Sequence, residues 1–436
     1  PYIDRLEKDG VTLRYIFETH FHADFVSGHV DLAEKTGAPI VYGPTATPEF
    51  EAIVAEDNRV FTIGAIRIKV LHTPGHTMES SCFLLIDEDG KETALFSGDT
   101  LFLGDVGRPD LAQKAAHLTQ EELAGLLYDS LYNKILPLSN DITVYPAHGA
   151  GSACGKNMMK ETVDSLGNQK KVNYALNQPD RETFIKAVTD GLLPPPAYFG
   201  MNVAMNKKGY ERFDQVMAHG MQALSPEEFE TLAETSGALI LDTRSDKEFY
   251  TGFIPQSVNI GLNGDFAPWV GALMVDVQQP ILLVTDSGKE EEAITRLSRV
   301  GFDHVLGYLK GGFSAWKESG KETDTVHRIT AAQFAEEVNI TDNKVVDVRK
   351  ESEYAAEHVA EAYSKPLAYI NDWIRDLDPG EHFYLHCAGG YRSMIAASIL
   401  QARGYRNFTE IEGGFNAIAL TGVPKTDYIC QSKVLS

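Results

Sequence analysis

Residues 11–24, VTLRYIFETHFHAD, decide the fold at the front of this chain. An apolar strand, Leu13–Glu18, runs directly into His20, His22 and Asp24, and three later segments repeat the arrangement. HTPGHT closes a strand at Ile66–Leu71 with His72 and His76; FSGD closes Ala94–Ser97 with Asp99; YPAHG follows Thr143–Tyr145 with His148. Strands of one sheet end along a common edge, so side chains far apart in the chain converge on the loops there. Gly75 and Gly98 let the backbone turn tightly just before a candidate ligand. Imidazoles and carboxylates are the usual ligands of zinc, iron and manganese. One surface histidine would mean little, but four such strand ends point to a metal centre.

Around this signal the pattern is α/β. Further strands are expected at Ile40–Tyr42 and Ser81–Ile86, and helices at Asp24–Thr36, Thr119–Tyr132 and Gly155–Leu166. The opening PYIDRLEKDG places Tyr2, Ile3 and Leu6 at helical spacing with no cap before them and does not read as a signal peptide, so residues are expected ahead of Pro1. A chain of 436 residues accommodates about two to four domains. Its 62 acidic against 39 basic residues give a net charge of −23, a field that repels phosphate backbones and excludes a general nucleic-acid partner. No run of 18 apolar residues exists, so no membrane partner is expected. Cys82, Cys154, Cys387 and Cys430 are too few and scattered for a disulfide scaffold or a four-thiolate metal site, and read as reduced thiols of a cytoplasmic protein.

At 191–209, GLLPPPAYFGMNVAMNKKG, three prolines stop any helix and mark a boundary. Beyond it one pattern occurs twice. SPEEFETLAE then ALILDTRSDKEF is answered by ITAAQFAEEV then KVVDVRKESEY, Asp242-Thr-Arg244 by Asp347-Val-Arg349, and GGFSA at 311–315 by GGFNA at 413–417. Each copy alternates apolar strands with helices, the pattern of a small parallel-sheet domain. The expected architecture is an α/β multidomain chain with domains at 1–210, 222–322 and 325–436.

In the second copy, FYLHCAGGYRS delivers Cys387 from a strand to a helix start. The loop through Ala388, Gly389, Gly390 and Tyr391 gathers backbone N–H groups, which with Arg392 stabilise a thiolate or persulfide. In the first copy an offset of 101 sets Asp286 at the Cys387 position and Glu291 at the Arg392 position, in VTDSGKEEEA. A carboxylate is a poor sulfur carrier and the arginine charge is reversed, so this copy reads as catalytically silent.

The strand-end motifs resemble those of the metallo-β-lactamase superfamily over roughly residues 1–180, which implies an αββα sandwich with further strands ahead of this chain's first residue. The family's leading motif is His-x-His-x-Asp-His, and Phe25 stands where its last histidine belongs, which favours one metal over two. With SGDTLFLGDVGRPD at 97–110, the resemblance narrows to persulfide dioxygenases. It implies one mononuclear Fe(II) on His20, His76 and Asp99, with open positions for substrate sulfur and dioxygen. His22, Asp24 and His148 then support the ligands or line the pocket, and Arg108 with Asp110 braces the loop near Asp99. HGAGSACGKNM is similar to an anion-receiving turn, with Cys154 at a helix start that lowers its pKa, or else as an inert buried thiol. Tyr198, Phe199 and Met201 wall the pocket or fill the boundary.

FYLHCAGGYRS resembles the rhodanese family over about 325–425, with Cys387 as sulfur acceptor and Asp347, Arg349, Glu353 and His358 as structural residues. The combined resemblance implies oxidation of a low-molecular-weight persulfide by dioxygen to sulfite and thiol, coupled to sulfur transfer among persulfide, sulfite and thiosulfate; homo-oligomer formation stays open. The alternative is a zinc-dependent thioester hydrolase of the glyoxalase II type fused to a sulfurtransferase. A rhodanese with a degenerate front domain, or a purely structural protein, leaves the intact His20, His76 and Asp99 unexplained.

Overall fold

A computed structural model describes residues 2–192 and 194–429, and Cys430 lies outside them. The chain divides into two compact units between Tyr210 and Glu211.

In the first unit, β1 (Ile16–Phe17), β2 (Ile40–Tyr42) and β3 (Ile53–Val54) form a parallel sheet. A six-stranded sheet follows in sequence order: β4 (Val60–Ile63), β5 (Ile66–His72), β6 (Ser81–Ile86), β7 (Glu92–Gly98), β8 (Thr143–Pro146) and β9 (Asp164–Ser165), antiparallel except where β7 meets β8. The sheets face each other through Val41, Phe61, Val70 and Phe83, with Phe17 edge-on to Phe61 at 5.4 Å. Helices cover both outer faces. His29–Thr36 and Phe199–Lys208 lie on the small sheet through Leu32, Ala33 and Val203. Gln120–Ser130 and Arg181–Thr189 lie on the large one, burying Leu71, Leu84, Leu95 and Val144 against Leu127 and Phe184. This is the αββα sandwich. With both faces covered, β6 reads SCFLLI, an apolar run without alternation.

Two expected helices change. The one expected from Asp24 begins only at His29, because the backbone at 22–27 is held by a side chain described below. No helix forms over 155–165; the helix there is Leu166–Val172. Strand pairing at Leu13–Glu18 is confined to Ile16–Phe17. Among the described residues, no helix is long and apolar enough to cross a membrane.

The second unit holds two parallel five-stranded sheets. One contains β10 (Ala223–Leu224), β11 (Leu239–Asp242), β12 (Val258–Asn259), β13 (Ile281–Val284) and β14 (Val305–Leu309), in the order β10-β14-β13-β11-β12. The other contains β15 (Arg328–Thr330), β16 (Lys344–Asp347), β17 (Tyr363–Ser364), β18 (Phe383–His386) and β19 (Phe408–Glu412), in the order β15-β19-β18-β16-β17. The identical order establishes the repeat. The shared Asp-x-Arg motif does the same work in both copies. Arg244 pairs with Asp242 and caps Gly252 O, and Arg349 pairs with Asp347 and caps Glu357 O, each fastening its strand end to the following segment. The copies touch directly: Asn259 N–H donates to Ser398 Oγ at 2.9 Å and the Tyr391 hydroxyl to Gly261 O at 2.8 Å.

Candidate functional site

The loops after β1, β5, β7 and β8 converge at one edge of the sandwich. His76 Nε2 lies 3.3 Å and His20 Nε2 3.8 Å from Asp99 Oδ2, and all three residues are buried. His148 Nε2 lies 3.4 Å from Asp99 Oδ1 and 3.5 Å from Asp24 Oδ2. His20, His76 and Asp99 form one group whose donor atoms lie within 4.8 Å of one another; His22, Asp24 and His148 form a second, and Asp99, His148 and Cys154 a third.

Both Asp99 oxygens, His148 Nε2, His22 Nδ1 and Asp24 Oδ1 are buried without a hydrogen-bond partner. Orphaned polar atoms of this kind are costly unless a ligand satisfies them, and their convergence fits a cation. Protonation fits as well. Burial and the neighbouring His22 keep His20 well below the usual imidazole range, so its ring is neutral and has a lone pair to offer. Burial would raise the Asp99 carboxyl, but His20, His148 and His76 hold it far below the ordinary range. Burial depresses His148, yet Asp99 and Asp24 outweigh it and raise the group to about 9, a proton that a bound cation displaces.

The surroundings aim these groups. His76 Nδ1–H donates to Arg108 O at 2.9 Å, leaving Nε2 bare toward Asp99. His20 Nδ1 meets Thr19 Oγ1 at 2.9 Å. Such outer contacts fix ring orientation and tautomer. The Arg108 guanidinium forks onto Asp110 at 2.6 and 2.7 Å and reaches Ala153 O, so the carbonyl that holds His76 sits on a braced loop. His22 Nε2 lies 3.2 Å from Glu18, its ring stacked on Phe25 at 4.5 Å. Gly98 has φ +53, and a Cβ there would strike Thr19 at 2.7 Å.

Asn206 has no signal in the sequence. Buried in the helix Phe199–Lys208, it donates to His22 O and Phe25 O and accepts from Ser27 N–H, clamping the histidine loop and delaying the next helix to His29. Tyr198 and Phe199 are buried, and Tyr198 stands close enough to Asp24 and Cys154 to feel their charge.

Cys154 lies beside Asp99 and His148, but no helix starts there. Lys156 and Asn157 N–H both donate to Asp105 Oδ2 at 2.6 Å, so that carboxylate, from the preceding strand connection, occupies the expected anion cradle. Burial, with Asp99 and Asp24 adding to it, pushes the Cys154 thiol well above its ordinary range, which fits the inert buried thiol of the two expected readings and not the activated one.

In the second unit, Cys387 is buried behind β18, and Gly390 N–H donates to its Sγ at 3.1 Å. Arg392 is bound bidentately by Glu353 at 2.6 and 2.8 Å, so Glu353 belongs to the loop's surroundings and not only to the scaffold. Ser393 Oγ stands 3.4 Å from Cys387 Sγ and 2.6 Å from Glu410 Oε1. Neither Ser393 nor Glu410 stands out in the sequence.

Strand register corrects the alignment of the silent copy. Asp242 pairs with Val284 as Asp347 pairs with His386, so the next residues, Thr285 and Cys387, are equivalent. A Cβ on Gly312 would face Thr285 O, as one on Gly414 would face Cys387 O. The offset is 102, not 101. Asp286 and Glu291 therefore fall opposite Ala388 and Ser393, and Glu290 opposite Arg392. The copy still has neither thiol nor guanidinium at its loop.

Comparison with known proteins agrees with this architecture. The metallo-beta-lactamase superfamily description matches residues 2–148, and the rhodanese-like domain description matches 225–319 and 330–421. A crystal structure of a metallo-beta-lactamase from Staphylococcus aureus subsp. aureus COL is 31% identical with a TM-score of 0.63, covering 71% of this chain and 88% of that one. A hydroxyacylglutathione hydrolase of Tolumonas auensis is 35% identical over 152 residues, 34% of this chain and 53% of its own length. A beta-lactamase hydrolase-like protein of Xylella fastidiosa is 29% identical over 213 residues, 44% of this chain and 45% of its own. The chain spans about half the length of these curated relatives.

Proposed function

For this chain, which belongs to the metallo-β-lactamase superfamily through its first unit and carries two rhodanese-like domains in its second, we propose a persulfide dioxygenase joined to a sulfurtransferase. The overall reaction of the first unit is RSSH + O₂ + H₂O → RSH + SO₃²⁻ + 2H⁺. The observation that carries it is Phe25. Its ring occupies the place of the family's last motif histidine, beside His22 and His148, and removes a donor from the more open second group while His20, His76 and Asp99 stay complete. These three would hold one Fe(II), which supplies the redox chemistry toward dioxygen that zinc lacks. Thr19 and the Arg108 carbonyl orient the two rings, Asp24 stands where a proton can be held beside the site, and Tyr198 limits its access to water. In the second unit Cys387 accepts a sulfane sulfur, the Gly390 N–H and the helix start behind it stabilise the persulfide anion that results, and sulfite or thiosulfate is the exchange partner.

A second reading rests on its own observations. The Tolumonas auensis relative, 35% identical, is a hydroxyacylglutathione hydrolase, and His22, Asp24 and His148 form a further ligand-like group. These favour a zinc-dependent thioester hydrolase more directly than they favour oxidation. Anaerobic metal analysis of the chain, then oxygen uptake with glutathione persulfide and hydrolysis of a hydroxyacyl-glutathione thioester, separates the two. About one iron per chain with persulfide-dependent oxygen uptake and sulfite release is expected. Zinc with thioester hydrolysis, and no oxygen uptake after iron reconstitution, would replace the dioxygenase with the hydrolase.

A further inference from the structure

A line of buried polar groups runs behind Cys387 away from the loop. Ser393 is fully buried at the start of the helix Tyr391–Ala402, with its Oγ between Cys387 Sγ (3.4 Å) and Glu410 Oε1 (2.6 Å). Glu410, fully buried on β19, receives Arg328 Nε–H from β15 on its other oxygen at 2.6 Å. Arg328 Nη2 in turn meets Asp246 of the silent copy at 3.2 Å. The copy without a thiol lacks the line as well: the register that sets Thr285 opposite Cys387 sets Glu291 opposite Ser393 and Tyr308 opposite Glu410. A buried carboxylate inside a domain is expensive, and one arginine would be better dispensed with than added for stability alone.

We propose that Glu410 is the proton acceptor for Cys387, working through the Ser393 hydroxyl, during sulfur uptake at that cysteine. The inference rests on the sulfur-transfer reading of Cys387. With thiosulfate as donor, Cys387 Sγ forms a bond to the outer sulfur and the S–S bond of thiosulfate breaks, its electron pair leaving with sulfite. The thiol proton passes to Ser393 Oγ as the Ser393 proton passes to Glu410. The balance is Cys387–SH + S₂O₃²⁻ + Glu410–COO⁻ → Cys387–SS⁻ + SO₃²⁻ + Glu410–COOH. The Ser393 hydroxyl is within donating distance of Glu410, of Gly390 O at 3.1 Å and of Cys387 Sγ, but it has one proton to give; with that proton on the short Glu410 contact, an oxygen lone pair is left for the thiol. Burial pushes the Glu410 carboxyl up and Arg328 pulls it back, which suits a group that must be charged at rest and take a proton in use. The other charged groups near the line are Asp246, the Arg392–Glu353 pair at the loop, and, on the strand side, His386 with the Asp347–Arg349 pair. Glu410 acts through Ser393 and is a positioning residue in the sense that it does not touch the donor.

The test is the rate of sulfur loading of Cys387 from thiosulfate in the full chain, read by rapid quench and peptide mass as a function of pH. Glu410→Gln is expected to slow loading at pH 7 by roughly 100-fold, the low end of general-base effects. The deficit should shrink as pH rises, because hydroxide in solvent then replaces the relay as proton acceptor. Ser393→Ala leaves the Arg328–Glu410 pair intact, so it serves should the first variant fold poorly, and the same recovery with pH is expected. An equal loss at every pH means loop damage and overturns the relay, as does unchanged or faster loading at pH 7. Wild-type chain that takes up no sulfur at any pH overturns sulfur transfer itself, and the relay with it.

Discussion

Under the proposed function, Phe25 is the side chain on which the metal count turns. It stacks on His22 and lies edge-on to His148 at 6.5 Å, so an imidazole there would face Asp24 and His148 from the direction the phenyl ring now fills. Phe25→His is expected to raise bound metal from about one toward two per chain, and to add or increase thioester hydrolysis, because a hydroxide held by metal is the hydrolytic nucleophile of such sites. The loss of ring stacking costs about 1 kcal/mol and should leave the fold intact. Metal analysis of the variant decides the matter: an unchanged metal count would reduce Phe25 to a packing residue and weaken the case for iron.

Among elements, the cysteine loop is bounded by β18 and by the short helix Gly414–Ile418. Phe415 N–H donates to Cys387 O at 2.7 Å and Asn416 N–H to Ala388 O at 3.0 Å. Gly414 makes that approach possible: its φ is +52, and a Cβ would lie 2.3 Å from Cys387 O. Gly414→Ala is therefore expected to cost about 2–4 kcal/mol and to abolish most sulfur loading, through backbone strain and overpacking. Gly422→Ala, in the same domain with nothing within 4 Å, should be neutral by denaturant unfolding. Elements also mark what was legible beforehand. His76 and Asp99 were readable because their strands end along one edge of one sheet; His20 follows a strand of the other sheet and joins them because the two sheets pack face to face. The helix expected at Gly155–Leu166 was not, because Asp105, some 50 residues earlier in the chain, captures the N–H groups of Lys156 and Asn157. Matching glycines and aspartates showed the repeat but left the silent loop one residue out; hydrogen-bond register between strands resolves it, and local sequence carries no register. Asn206, Ser393 and Glu410 were invisible because single polar residues on a helix or strand acquire meaning only from what packs against them.

At the scale of the whole molecule, the two units keep buried charge in different ways, and metal removal should expose the difference. In the second unit every buried carboxylate named above has an arginine: Asp242 has Arg244, Asp347 has Arg349, Glu410 has Arg328. In the first, Asp99 is buried with both oxygens unpartnered and three imidazoles around it. A cation that binds only the folded form adds about 2.7 kcal/mol at a hundredfold excess over its Kd. Chelation should therefore lower hydrogen-exchange protection in β5–β8 and leave β13 and β18 unchanged. The pH dependence has a definite sign. In metal-free protein His148 rises from about 6.5 unfolded to about 9 folded. A raised histidine contributes stability that is fully present below the unfolded value and lost as pH climbs through the folded one. Metal-free protein should thus lose protection in β5–β8 between about pH 6.5 and 9, a window in which metal-loaded protein stays flat because the bound ion has displaced that proton. Protection that falls equally in β18, or that rises across this window without metal, would contradict a metal centre confined to the first unit.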